Sequence, residues 1–147
     1  MTRTTLTGQH QFCTFKINGL LYGVDLEQVQ EIIRYQDMTT VPLSSKSVSG
    51  LINLRGQIVM AIDMRRRLGL PPSTSGEPPT NVVVRCDDET VSLLVDDIGD
   101  VIDASGGFER PPATLRGVPR DLLQAVYKLD DGLLLILDVA AATDLTP

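Results

Sequence analysis

The fold is decided by the stretch Val48-Ser-Gly-Leu-Ile-Asn-Leu-Arg-Gly-Gln-Ile-Val-Met-Ala-Ile-Asp63, in which two apolar runs flank a short turn. The turn contains Arg55-Gly56, and glycine is a common residue where a chain reverses direction. Asp63 stands where a helix cap is expected, ahead of a helical turn over 64–68 that Gly69 ends. The stretch therefore predicts a β-hairpin followed by a short helix.

Three more apolar pairs of segments show the same hairpin pattern. Asn-Gly is the strongest short hairpin signal, because both residues tolerate the positive φ of a type I′ turn. The turns and their flanking segments are Asn18-Gly19 between 11–17 and 20–24, Asp87-Asp88-Glu89 between 81–86 and 90–95, and Asp130-Asp131-Gly132 between 122–129 and 133–137. Four hairpins and many short β-branched runs predict a mainly β protein.

Aspartates also precede three segments that we interpret as helical. After Asp25, apolar residues at positions 26, 29 and 33 have the i, i+3, i+7 spacing of one helical face, and Ile32 widens that face. This unit ends at Val41-Pro42. Asp96 begins an equivalent segment with Ile98, Val101 and Ile102. Asp138 precedes a last helical turn over 139–143.

The order of these parts is repeated along the chain. Val24-Asp25 corresponds to Val95-Asp96, 71 positions on, and Ile62-Asp63 corresponds to Leu137-Asp138, 75 positions on. Similar offsets at two markers indicate a structural repeat. Each half would be hairpin, helical segment, loop, hairpin and short helix.

The boundary between the halves is the proline-rich segment 69–80, which contains four prolines and two glycines. We expect one domain over residues 10–145, with subdomain one at about 10–70, subdomain two at about 81–145 and a flexible N-terminus over 1–9. A half of this size is too small for a sandwich and suits a closed barrel, which has no exposed strand edges. The expected architecture is two small barrels that share an apolar interface, with a groove between them.

Composition and charge argue against several functions. The formal net charge is −6 with a sequence pI near 4.6, and the only basic cluster is Arg65-Arg66-Arg67, which we expect to be a solvated helix face. Nucleic acid is therefore not an expected partner. No segment has the length or apolarity of a signal peptide or membrane span. Cys13 and Cys86 are expected to be reduced thiols without metal-ligand spacing.

Catalytic chemistry has little support in the sequence. The single histidine, His10, lies near the N-terminus, although a Cys–His pair formed through space stays open. The acidic residues 96, 97, 100 and 103 fit a cap plus a solvated face, and paired acids for hydrolysis also stay open. No phosphate-binding glycine motif is present. We assign no catalytic, cofactor-binding or metal-binding residue and expect no enzyme activity and no cofactor.

The stretch 48–63, with its Asn-Leu-Arg-Gly motif, resembles the signature of the chemotaxis coupling protein (CheW) family. Further segments at 22–32, 91–101 and 133–138 are similar to that family in the same order, and Val41-Pro42 has its usual place. The resemblance covers about residues 10 to 145. It implies two SH3-like five-stranded β-barrels packed on a shared hydrophobic interface, with short helices.

The resemblance also implies partners and roles for residues. A groove between the barrels would grip the cytoplasmic tip of a methyl-accepting chemotaxis receptor, and the protein would contact the regulatory domain of the histidine kinase CheA. Arg55 would contact the receptor, and Val29 and Glu31 match positions linked to receptor coupling. Val101 matches a groove-side position. The glycines at 50 and 56 would be structural.

The expected function is therefore a non-enzymatic adaptor between chemoreceptor and kinase, cytoplasmic and recruited to membrane receptor arrays. One alternative is an adaptor of the same family in another receptor–kinase pathway, such as surface motility. An alternative from a different class is a small ligand-binding barrel or enzyme, which would need a deep pocket with convergent polar groups.

Overall fold

The computed structural model describes residues 9–40, 46–112 and 119–145. The N-terminus that we expected to be flexible lies, apart from Gln9, outside the described residues, as does Val41-Pro42. The strands are β1 Gln9–Ile17, β2 Leu20–Asp25, β3 Val29–Ile33, β4 Val48–Leu54, β5 Gln57–Asp63, β6 Thr80–Cys86, β7 Glu89–Val95, β8 Asp97–Ser105, β9 Phe108–Glu109, β10 Leu123–Leu129 and β11 Gly132–Leu137. The α-helices are α1 Met64–Arg67 and α2 Val139–Thr143, and 3-10 helices span Leu26–Gln28 and Arg120–Leu122.

The strands form two sheets, which confirms the predicted mainly β fold with short helices. The six-stranded sheet has the order β8-β1-β2-β11-β10-β9, and the five-stranded sheet has the order β3-β6-β7-β5-β4. The two-residue strand β9 is the addition to the five strands expected in each barrel. It begins at Phe108, shortly after β8 ends at Ser105, and it pairs with β10.

All four predicted hairpins are confirmed. The turn residues Asn18 and Gly19 have φ of 54° and 82°, and Arg55 and Gly56 have φ of 52° and 85°. Positive φ at both central residues matches the right-handed twist of the flanking strands, which is why such turns suit two-residue hairpins. The turns could therefore be located from the sequence, because glycine and asparagine tolerate the positive φ that such turns require.

A repeat is present, with hairpins exchanged between its halves. The strand pairing matches Val24 to Leu93 and not to Val95, so the expected correspondence of Val24-Asp25 with Val95-Asp96 is wrong by two positions. The first half runs from β1 to α1 and the second from β6 to α2. Hairpin β1–β2 of the first half pairs with β8 and β11 of the second, and hairpin β6–β7 of the second pairs with β3 and β5 of the first. The two parallel contacts correspond, since Tyr22 pairs with Leu135 as Val91 pairs with Met60.

This exchange changes how the chain divides. We expected subdomains at about 10–70 and 81–145, but each sheet takes strands from both of these ranges. Segment 69–80 thus separates the two repeats, and it does not separate the two sheets. Local sequence patterns cannot reveal this, because a hairpin has the same pattern whichever strands it joins.

Two segments expected to be helical are strands instead. Residues 29–33 form β3 and residues 97–105 form β8, and only the 3-10 turn Leu26–Gln28 is helical. The cause is a β-bulge in each strand pair, between Val29 and Glu31 in one and between Cys13 and Phe15 in the other. A bulge places residues three apart on one face of a strand, which imitates helical spacing.

The core has three parts, and the largest joins the two sheets. Its buried side chains come from both sheets and from both α-helices, so the expected shared apolar interface is present. Each sheet also has a smaller cluster on its other face, around Phe12 and Leu134 in one and Ile52 and Val59 in the other. The four residues from Leu134 to Leu137 are all buried, because they alternate between these faces.

The edges of each sheet are brought together. In the six-stranded sheet, Gly106 and Gly107, both with positive φ, link edge strand β8 to β9 at the opposite edge. In the five-stranded sheet, Thr39 follows β3 at one edge and forms a bridge with Leu51 of β4 at the other. Closure of this kind leaves few unpaired strand groups, as expected for small barrels.

Candidate functional site

Arg55 and Glu31 form a two-pronged ion pair on the surface of the five-stranded sheet. Arg55 Nη1 lies 2.5 Å from Glu31 Oε2, and Nη2 lies 3.0 Å from Oε1. Arg55 stands in the β4–β5 turn and Glu31 on β3, so the pair spans from one edge strand of the sheet to the other. Such planar pairing is specific to the arginine fork.

The pair is presented to solvent, and most of the Arg55 side chain is accessible to another molecule. The Arg55 side chain is 79% exposed and that of Glu31 is 26% exposed. The hydrogen bond and charge of Glu31 raise the pKa of Arg55 above its ordinary value. Arg55 therefore stays cationic, and Glu31 fixes its direction.

The turn that carries Arg55 is braced by its own residues. The Asn53 side-chain oxygen accepts a hydrogen bond of 2.9 Å from the Gly56 backbone N–H. A side chain at Gly56 would meet nothing within 4 Å, but the φ of +85° is strained for other residues. Gly56 thus supports the turn through its backbone conformation.

Gly50 lies where the chain after β3 presses on β4. A methyl group there would stand 2.7 Å from the Thr39 carbonyl oxygen and 3.0 Å from Met38 Cβ. A bulge between Val48 and Gly50 accompanies this approach. Gly50 therefore permits the close backbone passage next to the Thr39–Leu51 bridge.

The other two candidate residues lie on different sheets. Val29 is half-buried on β3 and packs against the inter-sheet core, whereas Val101 on β8 is 51% exposed. The structure therefore joins Glu31 and Arg55 directly and places Val101 on the opposite sheet. Val101 pairs with buried Cys13, so it lies on the same face of its sheet as part of the inter-sheet core.

Two exposed isoleucines accompany these valines and were not singled out from the sequence. Through the bulges, Ile32 shares a face with Val29, and Ile98 shares a face with Val101. The pairs are equivalent in the repeat, because Val82 pairs with Ile32 as Cys13 pairs with Val101. The signal available was a second apolar residue three positions away, which we had interpreted as helical spacing.

The arginine cluster has internal partners, which corrects the expected solvated helix face. Arg65 donates to both carboxylate oxygens of Asp96, at 2.9 and 2.6 Å, and to the Pro71 carbonyl at 2.9 Å. The hydrogen bonds of this pair lower the pKa of Asp96 and raise that of Arg65. Arg65 thereby ties α1 to the start of β8 and to the proline-rich segment.

Arg67 joins the two halves at their helices. Its guanidinium donates to the backbone carbonyls of Ala141, Ala142 and Asp144 at the end of α2, at 2.9 to 3.0 Å. The Ala141 carbonyl also accepts from the Asp144 backbone N–H at 3.3 Å. A cation is favourable at a helix C-terminus, where backbone carbonyls point out of the helix. Arg66 is the most exposed of the three and pairs with Asp63 at 3.4 Å.

The histidine considered for catalysis lies beside an aspartate, and both cysteines keep their protons on the sulfur. His10 Nδ1 lies 3.2 Å from Asp25 Oδ2, and its ring stacks on Phe12. Burial raises the pKa of the Cys13 thiol, and burial together with nearby carboxylates raises that of Cys86. A reactive thiolate is disfavoured at both positions.

A cleft of about 690 Å³ lies between the two sheets and the proline-rich segment. Its walls include Asn18 and Asp96 near the six-stranded sheet and Met38 and Leu94 near the five-stranded one. Arg65 and Asp96 also line this cleft, and their opposite charges neutralise each other in the ion pair.

Among the described residues, no helix has the length and apolarity needed to cross a bilayer.

Comparison with known proteins gives consistent matches. The model of the CheW-like domain family matches residues 11–145. A chemotaxis protein CheW of Bacillus subtilis (strain 168) is 32% identical over 148 residues, covering 98% of this chain and 92% of its own. One from Treponema pallidum (strain Nichols) is 29% identical, covering 89% and 80%. The crystal structure of the scaffolding protein TtCheW from Thermoanaerobacter tengcongensis is similar in fold, with a TM-score of 0.81, 24% identity and coverage of 95% and 90%.

Proposed function

The chain belongs to the CheW-like domain family, and from this membership we propose that it couples the cytoplasmic tip of a chemoreceptor to a CheA-type histidine kinase. It would act as a non-enzymatic adaptor in the cytoplasm, recruited to receptor arrays at the membrane. The observation that carries the proposal is the exposed Arg55 fork, fixed by Glu31 beside a half-buried apolar strand.

The arrangement suits recognition of another protein. A charge held in one direction at the edge of an apolar contact sets orientation and partner choice more than affinity. Arginine is also enriched at protein interfaces, because its planar group pairs with carboxylates and stacks on apolar surface. Arg55 would therefore position the receptor tip.

The apolar part of the contact would come from the two edge strands. Val29 on β3 and Val101 on β8 are the receptor-contact residues that we propose with Glu31 and Arg55. Exposed Ile32 and Ile98 extend the same faces, at 41% and 38% exposure. Covering such side chains would contribute about 25 cal/mol for each Å² of apolar surface removed from water.

Gly50 and Gly56 would support this site without contacting the partner. Gly50 allows the close passage of Thr39, and Gly56 completes the turn that holds Arg55. The kinase would bind elsewhere on the protein, so one molecule could hold receptor and kinase together.

The test is kinase autophosphorylation with receptor-bearing membranes, with and without the protein. We expect a strong rise on addition, lost with Arg55→Ala. Arg85→Ala is the matched control, since Arg85 is also an exposed arginine with a carboxylate neighbour, Asp88 at 3.5 Å. No rise with cognate receptor and kinase would reject the coupling role. Equal activity of Arg55→Ala and Arg85→Ala would reject the role of Arg55.

A further inference from the structure

Neither half of the chain can complete a sheet with its own strands. The first-half hairpin β1–β2 lies between β8 and β11, and the second-half hairpin β6–β7 lies between β3 and β5. Each described sheet therefore contains strands from both halves, and the halves are interlocked.

The two interlocking contacts are the same contact made twice. Cys13 pairs with Val101 as Val82 pairs with Ile32, and Gly23 pairs with Ile136 as Ser92 pairs with Ala61. Nothing in such a contact depends on which molecule supplies the hairpin. A second copy could supply it with every pair kept.

The connection between the halves is exposed and adds little to the core. Residues 71–78 are all exposed, and Leu70 is the residue of this connection that packs against the inter-sheet core. Arg65 holds the segment through its hydrogen bond to the Pro71 carbonyl, and the hydrogen bonds among Ser73, Ser75 and Glu77 are local. Redirecting this segment would leave both sheets intact.

We propose that two copies of this chain can exchange halves, so that the first half of one copy completes both sheets with the second half of the other. The proline-rich segment would cross between the two molecules. The contacts are those of the monomer, so concentration decides between the two forms. Halves on a short flexible linker have an effective concentration of about 1 mM, and exchange competes when copies are held at or above that level.

The exchange can be detected by a disulfide between copies. Lys16 on β1 and Asp97 on β8 are both exposed and directly opposite each other. Opposed residues of antiparallel strands have Cα atoms about 4.5–5.5 Å apart, within disulfide range. One protein carries Lys16→Cys and another Asp97→Cys, each with Cys13→Ala and Cys86→Ser, and the two are unfolded together, refolded and oxidised.

We expect a covalent heterodimer after refolding at about 1 mM, and at least about tenfold less at about 1 µM. The dimer should have the circular dichroism spectrum of the monomer. A single chain with both cysteines should close its disulfide within the monomer, which shows that the site is formed in these variants.

Arg85→Cys provides the control for random coupling, because Arg85 lies on β6 of the other sheet and pairs with Thr90. A heterodimer yield at about 1 mM no higher than that of Lys16→Cys with Arg85→Cys would overturn the proposal, provided the doubly substituted chain closes. A yield well above the control that depends on concentration would support it.

Discussion

Both terminal nitrogens of Arg55 donate hydrogen bonds to the Glu31 carboxylate. The pair therefore joins the β4–β5 turn, beside one edge of the five-stranded sheet, to β3 at the other edge. The pair therefore has two separable properties. It fastens the sheet edges, and it displays a positive charge at a fixed place. Reversing the pair separates these properties.

In the double variant Glu31→Arg/Arg55→Glu, the two charges exchange places and can still attract each other. We expect thermal stability close to that of the parent protein, because exposed ion pairs contribute little. Receptor-dependent kinase activation should stay low, since the displayed charge is inverted. Melting temperature and autophosphorylation measure the two properties.

The single variants provide the comparison for this reversal. Activation that is lost in both single variants and regained in the double variant would show that fastening is what matters, and would contradict a direct receptor contact of Arg55. Continued loss in a folded double variant would support the direct contact.

Tyr22 offers a test of the shared core. It is fully buried and stacks on Phe15, and its hydroxyl has no hydrogen-bond partner. A buried polar group without a partner costs free energy, so Tyr22→Phe should raise the free energy of unfolding by about 1 kcal/mol. Urea denaturation measures this, and Tyr35→Phe at an exposed tyrosine should change nothing. A loss of stability in Tyr22→Phe would show that the hydroxyl is satisfied.

The same residue gives a prediction at high pH. Burial raises the pKa of Tyr22 from 10.0 to about 12. Folding thus favours the neutral phenol, and the stability due to this shift is present below pH 10 and is lost as the pH rises towards 12. The stability of the parent protein should therefore fall relative to Tyr22→Phe over this range. Parallel curves for the two proteins would contradict the shift.

Gly50 and Gly132 form a matched pair of substitutions. Gly50→Ala would place a methyl group 2.7 Å from a backbone oxygen, whereas Gly132→Ala would meet nothing within 4 Å. We expect Gly50→Ala to lower the free energy of unfolding by about 1–3 kcal/mol. Gly132→Ala should leave it unchanged or raise it by up to about 1 kcal/mol. Equal effects in denaturant titrations would show that the passage at Thr39 can widen.

The Arg65–Asp96 pair should affect how the free energy of unfolding changes with pH in the acid range. Asp96→Asn removes charge-assisted hydrogen bonds from a mostly buried guanidinium, so we expect a loss of about 2 kcal/mol at pH 7. The hydrogen bond from Arg65 holds the pKa of Asp96 below its ordinary 3.8, so the stabilisation is complete above that pH. It is lost as the pH falls through the lowered pKa, and the two proteins should then converge.

Asp97→Asn is the control, because Asp97 is exposed next to Asp96 and should have little effect at any pH. A difference between Asp96→Asn and the parent that stays constant down to about pH 2 would contradict the assigned role of the carboxylate.

The hairpins and the repeat could be predicted because their signals are local. Asn18-Gly19 and Arg55-Gly56 report a backbone conformation, and apolar runs report buried strands. The expected helices failed for an equally local reason. Bulges put Val29 with Ile32 on one strand face, and a spacing of three is also a helical spacing.

The exchange of hairpins could not be predicted, because strand partners are set by the whole fold and β1 and β6 have similar patterns. The site shows the same limit. Family resemblance singled out Glu31 and Arg55 separately, but their ion pair depends on the closure of the sheet, which is a long-range property.

The interlocked halves also have a consequence during synthesis. Hairpin β1–β2 leaves the ribosome well before its partner β11, since β2 ends at Asp25 and β11 ends at Leu137. Pairing between distant segments makes folding slow, and strand edges that stay unpaired during this time can form non-native pairings or aggregate. The five-stranded sheet can be completed once β7 has been made, whereas the six-stranded sheet must wait for β11. The outer edges of the first hairpin therefore stay unpaired in the nascent chain until strands of the second half have been synthesised.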